Sequence, residues 1–524
     1  MATIEIDVNV VRDGQSIQWM GYFQPRSGGE RGAIALCRYF TCLLYSLYFL
    51  CYQCFSIFLL CRGIVVVTCR LRCLPSNRRL PLCVAMGVAC FGCFGQPPSA
   101  MAETPLDRIG HAIGRAMGLE EFVYRQFGPT LTHVPPSLLA YPFKSKTSEE
   151  VEAGRQKAGG FIKGVCHGNT NYEQMKAAGI EWNRCDIPFP FDASGNLRED
   201  YVNFKKKLQE YIDNGMKMMA VTPYPREFIA WGIDPRLPEN EARVKEIAVF
   251  LLQDLQGLMG VLQITNEMGV PRFTLPLTTE EAVRFMGIQL EAIYPVRGDV
   301  LIGYNTAGPQ VDVHLSMRPY HQYCDYVGID VYIGCFTTFG NYLWMFDVML
   351  AYLWSFTGKP VILCEFGYMS GGVAKTPEER RAILERYGVS SEAEARKNIE
   401  TFVDRLPQQM RDYVRRNASG DLGNFVFLSD FRDHLYTELS AGTVIPDYPH
   451  TPEGQTAFYR DILPRLMRTP YLLGAFIYCY GDSTRCYVCG QSDCPIETRW
   501  GLITTEGQEK PAYDAVRKVW NRKH

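Results

Sequence analysis

The sequence predicts an α/β fold, a (β/α)8 barrel with a long insertion between its seventh and eighth strands, preceded by an apolar, cysteine-rich N-terminal region. Three observations carry this. From about residue 160, eight short apolar runs recur, each long enough for a strand. Amphipathic stretches of helical spacing separate most of them, the pattern of units that lay strands parallel. No glycine-rich phosphate loop follows the first run, which argues against an open, doubly wound sheet.

The 524 residues suffice for one to three domains. Hydrophobic residues make up 47% and charged residues 21%, the balance of a globular chain with an unusually apolar portion. A net charge of −2, with no long Lys/Arg run, gives no electrostatic case for nucleic acid. Composition changes near Met101: residues 1–100 hold nine Arg, no Lys and ten of the 19 Cys.

Within residues 1–30, alternation on both sides of Asp13-Gly14 predicts a β-hairpin. Residues 31–100 are rich in Cys and contain YFTCLLYSLYFLCYQCFSIFLLC, 39–61, a stretch without formal charge between Arg38 and Arg62. It is long enough to span a bilayer, and too late and too long for a cleaved signal peptide. Arg62, Arg70, Arg72, Arg78 and Arg79 follow it and favour a membrane-associated protein with its catalytic portion in the cytoplasm. A second apolar stretch, 82–95, is short for a span, and its insertion would reverse that orientation. The alternatives are a buried helix, or an extension ahead of a functional start at Met101 and a soluble cytoplasmic protein.

After a lead-in over 101–158 come the runs FIKGVCHG (161–168), IEWNRCDIPF (180–189), MKMMAVTPY (216–224) and VLQITNE (261–267). They continue with VLIGYNTAG (300–308), CDYVGIDVY (324–332), PVILCEFG (360–367) and LLGAFIYCY (472–480). The helical pattern YVNFKKKLQEYIDNG closes on Gly215, and Thr278 with Glu281 and Thr376 with Glu379 form capping boxes that open helices. The insertion, 368–471, contains SSEAEARKNIETFVDRLPQQMRDYVRRN, a long helix expected to kink near Pro407.

Two of these runs end on a carboxylate. Glu267 closes VLQITNE and Glu365 closes PVILCE, which places both at the C-terminal mouth of the barrel, where barrel chemistry is done. Two carboxylates across a cleft suit glycoside hydrolysis: one protonates the leaving oxygen, and the other attacks the anomeric carbon or directs water. A lone Glu after a strand is ordinarily a solvated loop residue; the pair, each in this setting, is not.

The residues TNE (265–267), CEFG (364–367), NRCD (183–186) and GIDVY (328–332) resemble retaining glycoside hydrolases of clan A, the barrel group that includes cellulases, mannanases and β-glycosidases. The resemblance covers roughly 160–524. It implies Glu267 as acid/base, Glu365 as nucleophile, Asn266 on the sugar 2-hydroxyl, and Arg184 and Tyr332 beside Glu365. Many members carry a Trp at the end of strand eight; here the run reads IYCYGD, which leaves Tyr478 or Tyr480 as the stacking platform. His167 at the end of strand one is a candidate for a sugar hydroxyl, and Trp231, with Tyr224 and Trp500, for the pyranose face. A retaining mechanism places the two carboxyl groups about 5–5.5 Å apart.

The expected activity is hydrolysis of a β-linked glycoside with retention, the partner being carbohydrate and no cofactor being required. A transglycosylase would use the same residues. A catalytically silent barrel that binds carbohydrate or holds a membrane complex would not need both carboxylates. A metal-dependent hydrolase finds only His167 and Asp186 at the first two strand ends, with no His-x-His pair. Cys166, Cys185, Cys324 and Cys364 read as small core hydrophobes of a reducing compartment. The spacing of Cys486, Cys489 and Cys494, C-x2-C-x4-C, is that of part of a zinc site with Cys479 or a His as fourth ligand; free thiols or a disulfide are the alternatives.

Overall fold

A computed structural model describes the backbone at residues 3–12, 15–23, 66–74 and 85–86, and backbone and side chains at 149–336, 343–418, 421–439 and 444–522. The chain forms two compact units, Met1–Ala102 and Glu103–His524. In the first, strands Thr3–Arg12 and Gln15–Phe23 pair antiparallel with Arg12 opposite Gln15, the register of a hairpin across Asp13-Gly14. Strand Val66–Leu74, which carries Arg70 and Arg72, pairs along the other edge of Thr3–Arg12. The stretch 39–61 and all of 82–95 except Ala85–Met86 lie outside the described residues. Among the described residues, no helix is long and apolar enough to cross a membrane.

The second unit contains the barrel. Its strands are β1 Ile162–Cys166, β2 Trp182–Asp186, β3 Lys217–Val221, β4 Val261–Gln263, β5 Leu301–Ala307, β6 Tyr326–Val331, β7 Val361–Phe366 and β8 Leu472–Ile477. Each lies inside one of the eight apolar runs. All pair in parallel, and β8 closes on β1 with Gly474 opposite Ile162. Every residue of β6, β7 and β8 is buried, as strands covered by helices outside and by packed side chains inside must be.

The outer helices bury one face each. Helix Glu199–Asp213 buries Tyr201, Leu208 and Tyr211, and the chain leaves it through Gly215 at φ +75°, a left-handed conformation that costs glycine little. Helix Thr279–Ile293 opens with the Thr278–Glu281 capping box and helix Pro377–Arg386 with Thr376–Glu379, both reciprocal pairs formed. Helix Pro511–Trp520 buries Tyr513, Val516 and Trp520 and packs on helix Pro452–Met467.

The insertion between β7 and β8 is present. Its last helix, Pro452–Met467, belongs to the barrel's outer layer, so the added structure is residues 368–451. The stretch expected to be one kinked helix is three: Glu392–Lys397, Ile399–Arg405 and Gln408–Asn417. Pro407 ends the second helix outright, because the residue before a proline is pushed out of the helical region and Leu406 sits at ψ 153°. The first break falls at Asn398, φ −134° and ψ 54°.

Candidate active site

The barrel mouth is built from strand ends that bend away from regular geometry. Among the described residues, four that are not glycine take a left-handed φ, and three sit at strand ends of the mouth: His167 after β1 (φ 57°), and Thr265 (φ 54°) and Glu267 (φ 45°) after β4. A β-branched Thr in this region is strained, and such residues persist where surrounding bonds over-determine them. Here the Thr265 N–H donates to Thr222 Oγ1 at 2.9 Å, and the Glu267 N–H to Asn305 Oδ1 at 2.9 Å. The bend aims the Glu267 carboxyl into the mouth, 5% exposed.

Glu365 is placed by an irregular register. Ile329 of β6 lies opposite Leu363, but Asp330 lies opposite Glu365, so β7 carries one extra residue at Cys364. A Cβ at Gly328 would lie 2.5 Å from the Cys364 Sγ, and the glycine thus makes room for the irregularity. The result is two carboxylates side by side on neighbouring strands, Asp330 and Glu365, 2% and 8% exposed.

Around them runs a buried polar network. Arg184, in the middle of β2, donates through Nη1 to Glu365 Oε1 (2.5 Å), through Nη2 to Asn266 Oδ1 (2.6 Å) and through Nε to Gln263 Oε1 (3.2 Å). The Tyr332 hydroxyl donates to Glu365 Oε2. Both Glu365 oxygens therefore hold a donor, which fixes the carboxyl in place. Asn305 donates to Asn266 Oδ1 (2.8 Å) and to Asp330 Oδ2 (2.6 Å), and Gln263 donates to Asn305 Oδ1 (2.9 Å).

Glu267 has a different setting. Burial raises its pKa first of all, the Arg272 guanidinium at 3.4 Å opposes that, and the charge of Glu365 adds to the rise. Asp330 is pushed well above the ordinary carboxylate range, by burial first and then by Glu365 and Glu267. Asp330 Oδ2 accepts from Asn305, while its buried Oδ1 has no hydrogen-bond partner.

The structure brings Glu267, Glu365, Asn266, Arg184 and Tyr332 into this one network. Tyr478, just after β8, stands beside it: its ring meets Tyr332, Trp500 and His167 edge-on at 5.9, 5.7 and 5.6 Å. His167 is exposed at the rim. Trp500 is buried behind Tyr332 rather than open to the mouth. Tyr480 is also buried and directs its hydroxyl to Gln174 Oε1 (3.1 Å), away from the carboxylates. Trp231 stacks on Phe189, with the Arg198 guanidinium 4.3 Å from its ring centre, and is tied into that packing. Tyr224 donates to Asp186 Oδ1 at 3.3 Å and stacks on Phe273.

Asp330, Asn305, Gln263 and Arg272 were not singled out by the sequence. Three had a signal: a polar residue inside an apolar run, two positions before Tyr332 in the case of Asp330, so on the same side of its strand. Arg272 had none, since its pairing with Glu267 depends on where the short helix Pro271–Thr274 begins.

No protein-family model matches the sequence, and no curated protein matches it in sequence. Among solved structures, the fold is similar to the GH53 catalytic domain of Ignisphaera aggregans (14% identity over 68% of this chain and 96% of that chain, TM-score 0.44). It is similar to the GH2 beta-galacturonidase of Eisenbergiella tayi (12% identity, 70% and 51%, TM-score 0.39) and to a Bacteroides uniformis beta-glucuronidase (12% identity, 100% and 47%, TM-score 0.42). The match spans about half the length of those last two proteins. At these identities the likeness is one of fold alone.

Proposed function

We propose that the chain is a retaining glycosidase acting on a β-linked glycoside. The observation that carries this reading is the asymmetry between two buried carboxylates at one barrel mouth. Glu365 has a donor on each oxygen, and Glu267 is held above its ordinary pKa by burial. One is held in place by two donors, as a nucleophile must be, and the other is suited to hold a proton, the division of labour that double displacement needs.

In the first step, Glu365 Oε attacks the anomeric carbon while Glu267 gives its proton to the departing glycosidic oxygen. The C–O bond to the aglycone breaks as the ester bond to Glu365 forms. In the second step, Glu267, now a carboxylate, takes a proton from water, whose oxygen displaces Glu365. Asn266, fixed by Arg184 and Asn305, presents its amide to the sugar 2-hydroxyl, a contact that strengthens as positive charge grows on the ring. Tyr478 offers a ring face beside the nucleophile. No cofactor enters these steps.

The test is labelling with activated 2-deoxy-2-fluoro β-glycosides, followed by intact mass and peptide mapping. An adduct on the peptide carrying Glu365, absent in Glu365→Gln, is the expected result. Labelling of a different residue, or full turnover by Glu365→Gln, sinks the assignment.

A further inference from the structure

Away from the mouth chemistry, the insertion and the loop after β8 bring together four side chains that the reaction does not use. His434, on the helix Phe431–Tyr436 of the insertion, faces Cys486, Cys489 and Cys494. All four are buried, and their ligand atoms lie within 4.8 Å of one another. His434 Nδ1 is 3.4 Å from Cys486 Sγ and 3.6 Å from Cys494 Sγ. Cys479 is not of this group; its thiol points to the Gly481 carbonyl.

We propose that His434, Cys486, Cys489 and Cys494 form a structural zinc site that fastens the insertion to the loop after β8. The distances fit. A tetrahedral ion with Zn–N of about 2.0–2.1 Å and Zn–S of about 2.3 Å holds its nitrogen and sulfur ligands about 3.5 Å apart. The local backbone fits as well. Cys486-Tyr487-Val488-Cys489-Gly490 forms a tight turn in which the N–H groups of Val488 and Cys489 donate to Cys486 Sγ at 3.3 and 3.4 Å. Such donors stabilise a thiolate, the form that binds metal. Gly490, at φ +75°, lets the turn close with its N–H on the Cys486 carbonyl at 2.8 Å. Three thiolates and one imidazole, with no fourth side left for water, select a soft, tetrahedral d10 ion in a closed site. On binding, the thiols release their protons to solvent.

The place of the site gives it a consequence. Gln409 of the insertion also grips this loop, through the carbonyls of Cys486 and Tyr487. Tyr487, between two of the ligands, accepts a hydrogen bond from Arg272, which pairs with Glu267. Cys494 leads directly into the helix Pro495–Thr498, whose Glu497 accepts from Tyr478. The ion thus anchors a loop with two polar links to the barrel mouth.

The test uses the full chain, purified without chelators, and reads metal content rather than activity. Elemental mass spectrometry is expected to find about one zinc per chain. Replacement of zinc by Co(II) is expected to give tetrahedral d–d absorption with thiolate-to-cobalt charge transfer. Cys489→Ser is expected to lose both, and His434→Cys, which supplies a fourth thiolate, to keep both. A folded wild-type chain that holds no stoichiometric metal, or a disulfide among the three cysteines by peptide mapping, overturns the proposal. The wild-type readings decide the matter even if a variant fails to fold.

Discussion

Asp330 is the residue whose role is least evident from its neighbours' names. Its carboxyl is held well above the ordinary range, by burial first and then by the charges of Glu365 and Glu267. That direction fixes a sign for stability. A folded-state pKa above the unfolded value contributes stability that is present below about pH 4 and is lost as pH rises through the folded value. Urea midpoints across acid pH should therefore decline less steeply for Asp330→Asn than for the wild type. At Glu267 the expectation concerns leaving groups. Glu267→Ala should slow glycosides with poor leaving groups far more than activated aryl glycosides, in steady-state kinetics; equal losses on both would remove Glu267 from the acid role.

Among the elements, those with strong local signals were legible and those decided by tertiary contact were not. The capping boxes at Thr278 and Thr376 and the helix stop at Gly215 follow from side chains within one turn, and the structure has each of them. The extra residue in β7 at Cys364, which sets Glu365 beside Asp330, could not be read from VILCEF, because register depends on the partner strand. The break at Asn398 was hidden by good helix formers on both sides. The insertion is held instead by long-range polar contacts. Glu438, fully buried, accepts from Arg380 Nε at 2.8 Å, Arg432 Nη1 at 3.0 Å and the Lys375 N–H at 2.6 Å. Glu438→Ala would leave these donors facing a void at the base of the helix that carries His434. Losing one partner of a buried pair costs about 3–5 kcal/mol; with both arginines part-exposed, about 2–3 kcal/mol is expected from the urea midpoint. Glu400→Ala, which breaks an exposed pair with Arg415, is the control and should change little.

Over the whole molecule, the eight apolar runs each became a strand, and closure into a barrel followed from their parallel spacing. Glu267, Glu365, Arg184, Asn266 and Tyr332 were legible because each lies within or just after a strand run, and a closed barrel gathers the ends of those runs at one rim. Tyr480 was read from its place after strand eight and Trp231 from its residue type, and aromatic rings serve packing as readily as binding. The zinc-type cluster was half legible: three ligands share a short loop, while His434 comes from 52 residues before Cys486 and is set there only by the folded insertion. A last expectation belongs to this scale. Every strand of the barrel, each residue of the polar network and all four metal-site residues lie within Glu103–His524. A barrel closed by β8 on β1 has no open strand edge, and all eight of its strands come from Glu103–His524. A chain beginning at Met101 should therefore fold cooperatively, with the thermal midpoint, Glu365 labelling and metal content of the full chain. A molten or unlabelled product from that truncation would mean that residues 1–100 supply part of the barrel's stability.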